Sequence, residues 1–191
     1  MKTLTLGLVF LSAVMVFPQR GGDPVNWKSL ESDNERERDT AAVSVLKEHA
    51  SAEREVAGIV TKYLSDGSRK GTVKTAIRLL GELRAEQYVP LLIDNLTFEV
   101  FYKDSKRPQA IEDLFPSVGA LIKIGIPSIE PILKKVKSTN DTAVLRAATA
   151  VFHGVLGDDL AERRLTIELR NEGEDANRRR LSEMLQLLAQ K

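Results

Sequence analysis

Cysteine is absent from this chain of 191 residues. That excludes disulfides, a lipid-modified cysteine, a thiolate nucleophile and the cysteine-rich zinc sites. Histidine is nearly as scarce. His49 and His153 are the only two, they fall in different segments, and no HExxH or comparable ligand spacing surrounds either. The serines lack a nucleophile-elbow sequence, and Gly67, Gly71 and Gly81 are not spaced to cradle a phosphate. Charge of one sign is also missing: 28 basic against 27 acidic residues leave a net charge of +1. So even a balance gives no large single-sign field, and attraction to nucleic acid or an anionic membrane would need a local patch. No catalytic, cofactor-binding or metal-ligating residue is expected, and no cofactor.

What is present begins with a short apolar run. Lys2 supplies a positive start, and Leu4 to Phe17 is apolar apart from Thr5, Gly7 and Ser12. Such a run fits a secretory signal, whereas a membrane-spanning helix needs about 20 apolar residues. Residues 1–22 are therefore expected to direct export and to be removed. No small-x-small motif marks the cleavage point before Pro18, so retention as an uncleaved anchor is the competing expectation. An exported protein without disulfides rests on its packed core, which suits a periplasmic or extracellular setting in a bacterium. Residues 23–39 read as a polar arm or linker: Gly21-Gly22-Asp23-Pro24 breaks structure, and Glu31 to Asp39 is charged with no apolar stripe. Trp27, the only tryptophan, is expected to anchor this arm on the body that follows.

From residue 40 to 191 the apolar spacing is helical. Val43, Leu46 and Ala50 lead into Val56, Ile59, Val60 and Leu64, and Asp66-Gly67 stops that segment. Val73, Ala76, Ile77, Leu80 and Leu83 form one face of a helix, and Val89, Leu92, Ile93 and Leu96 that of its partner. The pattern then recurs. Leu114, Val118, Leu121 and Ile122 precede the turn Gly125-Ile126-Pro127-Ser128, and Ile129, Ile132, Leu133 and Val136 follow it. Pro90 and Pro131, 41 positions apart, begin the two second helices. A third unit opens at the cap Asn140-Asp141. Arg146, Ala148 and Phe152 stand 72 positions after Lys74, Ala76 and Leu80. Gly157-Asp158-Asp159 then turns the chain into Leu160, Leu165 and Leu169. A last helix carries Leu181, Met184, Leu185 and Leu188 on one face, with Arg178-Arg179-Arg180 outside. A period near 40 residues is that of stacked helical hairpins, each too small to bury its apolar face alone.

These segments resemble HEAT repeats, especially the short bacterial kind grouped with phycobilisome-lyase-type proteins. The residues that carry the likeness are Val73-Lys74-Thr75-Ala76 with Leu80-Gly81-Glu82-Leu83, Leu121-Ile122-Lys123-Ile124-Gly125, Pro131, and Leu145-Arg146-Ala147-Ala148. Glu162-Arg163 stands where the third proline would fall. The resemblance implies an all-α solenoid of about three to four hairpins with a C-terminal capping helix. It also implies a scaffold that binds other proteins along the surface of its second helices. The family includes chromophore-attachment enzymes, but no residue here carries over such a role.

Two features are candidates for the binding surface. The connection from Thr97 to Pro108 places Phe98, Phe101 and Tyr102 within five residues of one another, flanked by Lys103, Lys106 and Arg107. Aromatic rings with basic neighbours make interface anchors, although Phe98, Val100 and Tyr102 alternate as a flap folded onto the core would. Lys134, Lys135 and Lys137 could add a charged rim, or simply be a solvated helix face. The expected function is an exported, non-enzymatic scaffold that binds a protein partner, with no nucleic acid and no stable membrane insertion if the leader is removed. The alternative is an enzyme accessory or lyase-like protein holding a small molecule in its concave groove.

Overall fold

In the computed structural model, residues 25–48, 52–100 and 111–190 are described. They form ten helices and, among the described residues, no strand. In order these are α1 (Trp27–Leu30), α2 (Glu35–Glu48), α3 (Glu53–Tyr63), α4 (Lys70–Glu82), α5 (Val89–Asp94), α6 (Ile111–Leu114), α7 (Pro116–Ile124), α8 (Ile129–Lys137), α9 (Thr142–Asn171) and α10 (Asp175–Ala189). The fold class is all-α. The leader expected over residues 1–22 lies outside the described residues, as does His49. Among the described residues no helix is long and apolar enough to cross a membrane.

The apolar spacing explains the burial of the central helices. On α4, Val73, Ala76, Ile77 and Leu80 are buried. On α7, Val118 and Leu121 are, and on the first limb of α9 Leu145, Ala148 and Phe152 are. These three helices pack in series, α4 on α7 and α7 on α9. The second helices do likewise, α5 on α8 and α8 on α10, while α2 and α3 both lean on α4. All contribute to one continuous core.

Glycine sets the spacing of α4 and α7. A Cβ at Gly81 would stand 2.6 Å from Ala120 Cα, closer than two such carbons can come, so the helices touch there because a side chain is missing.

The two central hairpins differ by one residue in their turns. The first helices keep a 41-residue register: Ile77 with Val118 and Leu80 with Leu121, all fully buried. The buried faces of the second helices keep a 40-residue register instead, Val89 with Ile129, Leu92 with Ile132, Ile93 with Leu133 and Leu96 with Val136. The prolines stay 41 apart, which puts Pro90 second and Pro131 third in its helix. Neither position needs an amide donor, since the first-turn N–H groups have no intrahelical partner. The turn after α4 is the longer one, and its Ala85 is buried.

Helix ends follow their caps. Asp66 accepts from Ser68 N at 2.9 Å, and Asp141 accepts from Ala143 N at 2.8 Å, as the cap reading of Asn140-Asp141 expects. Gly125 ends α7 with φ +86, while its 41-residue counterpart Arg84 holds φ +50 after α4. Gly157, at φ 73, divides α9 into limbs of residues 142–156 and 158–171.

Three sequence expectations change. The segment read as a loose polar arm contains α1 and the first turn of α2, with Val25 and Leu30 buried and Trp27 packed against the core. Its buried groups come from outside the charged run or, like Arg38 at 7% exposure, from within it: the Arg38 guanidinium donates to Ser32 O at 2.8 Å. On α2 the core face is Ala41 and Val45, so Val43 and Leu46 point outward at 49% and 40% exposure. On the second limb of α9, Leu165 is buried as expected but Leu160 is not.

Candidate functional site

The surface that sequence reasoning singled out is built from α5, α8 and the segment between α5 and α6. Its two components behave differently. Phe98 follows the end of α5, where its amide donates to Asn95 O at 3.0 Å, and its ring is half-buried against the core. Val100 is buried, and its amide donates to Leu114 O at 3.0 Å. The start of the connection thus folds inward at Phe98 and Val100. Phe101, Tyr102 and Lys103 lie outside the described residues.

The lysines of α8 are mostly engaged. Lys135 reaches Asp94 on α5 at 3.4 Å, a contact between positions 41 residues apart. A second contact at the same separation joins Lys123 on α7 to Glu82 on α4. Lys137 sits between two carboxylates, Glu172 at 3.0 Å and Glu168 at 3.2 Å. The hydrogen bond to Glu172 raises the Lys137 pKa above its usual value, and the same bond holds the Glu172 carboxyl below its own. Arg164 links Glu130 on α8 to Glu168, the latter at 2.9 Å. Arg180, expected outside, instead crosses to α8 and donates to Lys137 O at 2.7 Å and Asn140 Oδ1 at 2.7 Å. Lys134 is exposed. The basic run therefore chiefly joins α8 to its neighbours α5, α9 and α10, with Lys134 its outward-facing member. Sequence spacing carried no sign of this, because the carboxylates that meet Lys135 and Lys137 lie at least 31 residues away.

The N-terminal segment is tied down by a second polar cluster. The Tyr63 hydroxyl donates to Glu31 at 2.7 Å, Lys62 contacts Glu31 at 3.1 Å, and Arg69 bonds Glu31 O at 2.9 Å and Asp33 at 2.6 Å. The Tyr63 hydrogen bond, followed by Lys62, lowers the Glu31 pKa.

Chemistry-bearing groups elsewhere are sparse. His153 Nδ1 lies 2.6 Å from Asp158 Oδ1 across the Gly157 bend. Glu172 accepts from Glu174 N at 3.1 Å in the turn that leads into α10. Among the described residues no group of three or more His, Cys, Asp or Glu side chains converges as metal ligands would.

Two surfaces escaped the sequence reading. One is a groove between α2 and α4 lined by Ala42, Val43, Leu46, Thr75, Arg78 and Leu79. The other is the outward face of the second α9 limb, where Leu160 and Ile167 are 58% and 51% exposed. The signal for both was available in principle: apolar residues on two faces of one helix mean that one face lacks an intramolecular partner.

Compared with known protein families, curated proteins and solved structures, the chain has no significant match.

Proposed function

We propose that the chain is an exported, non-enzymatic helical-repeat scaffold, a HEAT-like solenoid that binds a protein partner on the surface of α5 and α8 and the adjoining 98–107 connection. The observation that carries this reading is the recurring buried layer of the packed first helices α4 and α7, Ile77 with Val118 and Leu80 with Leu121, each pair 41 residues apart. Successive units that pack through corresponding residues are what stacking by a repeated translation produces. Such stacking leaves a row of second helices as a broad shallow surface, a geometry suited to a protein rather than a small molecule. Lys134 is the outward charge on that row, and charges of this kind act mainly on association rate and its salt dependence.

The test is affinity isolation of the tagged chain from envelope fractions of its native host, with Lys134→Glu and Phe98→Ser compared against the unaltered chain. A protein that co-purifies with the unaltered chain and is weakened by Lys134→Glu supports the reading. A chain that returns without protein partners but with a retained small molecule overturns it in favour of the accessory or lyase-like alternative. Mass spectrometry of the native N-terminus decides export: an intact Met1 on a cytoplasmic protein would sink that part.

A further inference from the structure

Among the described residues, the second limb of α9 presents a face that no other element covers. Leu160 and Ile167 point outward, while Ala161 and Leu165 on the other side of the same helix are fully buried. At about 100° per residue, two positions seven apart differ by about 20° in direction, so Leu160 and Ile167 form one line along the helix. Asp159, Arg163 and Arg170 flank that line, and Glu162 lies further round the same outward surface. Among the described residues none of these four makes an ion pair, although Arg164 on the neighbouring strip is held by Glu130 and Glu168. The charges are ordered: both acids lie in the first half of the limb, and Arg163 and Arg170 follow them.

We infer that this face pairs with the same face of a second copy of the chain, the two helices running antiparallel about a twofold axis near Arg163. The order of the charges selects this occupant. An antiparallel pair centred between residues 163 and 164 sets Leu160 opposite Ile167 of the second copy, twice. The four charges all lie to one side of the apolar line, and in an antiparallel pair each flank meets the same flank of its mate. Asp159 then approaches Arg170 of the second copy within about two residues of axial rise. Arg163 lies close to its own counterpart at the axis, a like-charge contact that adds to the weakness of the pair. A parallel pair would instead turn each charged flank toward the other flank of its mate, where Arg164 and Glu168 are already engaged within their own chain. The contact is self-complementary, as a twofold interface must be. It is also small, below the size of a stable standard interface, so the dimer is expected to be weak, with a dissociation constant roughly micromolar or higher. The face is distinct from the α5 and α8 surface, so its failure would leave the scaffold reading standing, and the reverse.

Sedimentation velocity of the full chain from roughly 1 μM to 1 mM, a range that spans weak self-association, should show the average mass rising from monomer toward dimer. Asp159→Arg and Arg170→Asp should each weaken this about tenfold or more, because each homodimer then carries two like-charged contacts. An equimolar mixture of the two variants should restore association, since the heterodimer regains two unlike pairs. Every altered position is exposed, and circular dichroism checks that helicity is unchanged. Because the chain has no cysteine, Arg163→Cys under mild oxidation should give a covalent dimer, and Lys134→Cys should not. A monomer at every concentration with no Arg163→Cys cross-link overturns the inference. So does a dimer indifferent to both charge changes, or a mixture that fails to recover.

Discussion

The α4–α5 and α7–α8 hairpins are two attempts at the same unit, and their difference is confined to the turn. Their first helices bury Leu80 and Leu121 at corresponding positions, both fully enclosed. Their turns differ by one residue, and the register of the buried second-helix face shifts from 41 to 40 as a result. What is held constant is the layer of first helices; what is free to vary is how the chain returns. Side chains interlocked between neighbouring helices tolerate no displacement, whereas a surface turn absorbs an added residue at little cost.

The comparison breaks most visibly in the core. Leu80→Ala and Leu121→Ala should each destabilise the fold by about 2–5 kcal/mol, since each removes a fully buried side chain and leaves a cavity. Similar losses in denaturant titrations of the two variants would support corresponding roles. A loss from only one would show that the two helices are not equivalent layers.

Gly81 sharpens it next. Its missing side chain permits the 2.6 Å approach to Ala120 Cα, a backbone atom that cannot rotate away. Gly81→Ala should therefore cost about 1–3 kcal/mol despite its better helix propensity, because overpacking forces the helices apart. Gly58, with nothing near its Cβ position, is the control: Gly58→Ala should stabilise by up to about 1 kcal/mol. A thermal melt of the two variants separates packing from propensity.

Arg84 and Gly125 test the turns themselves. Both take positive φ at corresponding helix ends, +50 and +86, but only one is glycine. Arg84→Gly should relieve a left-handed conformation and raise stability by up to about 1 kcal/mol, while Gly125→Ala should lower it by a similar amount. Opposite signs in parallel urea titrations are the expected result; two losses would mean that Arg84 contributes contacts that outweigh its strain.

Much of this was legible in the sequence, and the limits have a physical pattern. The buried faces of α4, α5, α7, α8 and α10 follow from apolar residues at helical spacing, because each helix has one face to bury. The caps at Asp66 and Asp141 and the bend at Gly157 follow from local backbone chemistry. On α2 the same reading picked Val43 and Leu46, because apolar residues occupy two faces and spacing alone does not say which one meets α4. Leu160 misled for the same reason. The roles of Lys135, Lys137 and Arg180 were out of reach, since their carboxylate and carbonyl partners arrive from distant segments only after the helices pack. Phe98 was visible as unusual, but its inward turn depends on the Val100 amide meeting Leu114 O.

The smallest effects belong to the charged seam, and they separate its two lysines. Lys135 pairs with an Asp94 that is largely solvent-exposed, so Lys135→Ala should change stability by no more than about 0.5 kcal/mol, as exposed pairs do. Lys137 lies between two carboxylates that are themselves largely covered. Removing it leaves Glu172 with no ion-pair partner and Glu168 with Arg164 alone, so Lys137→Ala should cost more than Lys135→Ala at neutral pH. The pH dependence gives the sign. The Glu172 carboxyl is held below its ordinary value of 4.5 by the Lys137 hydrogen bond. A carboxylate depressed in the folded state contributes stability above its unfolded pKa and loses it as pH falls through the folded one. The Lys137 ammonium is raised above 10.5, so its share is present below that value and fades only as pH rises through the folded pKa. The gap between the unaltered chain and Glu172→Gln should therefore be open at pH 7 and close as the medium falls well below pH 4.5. Urea titrations at neutral and acid pH measure it. A gap that persists unchanged in acid would mean that Glu172 acts through packing or its bond to Glu174 N, and not through its charge.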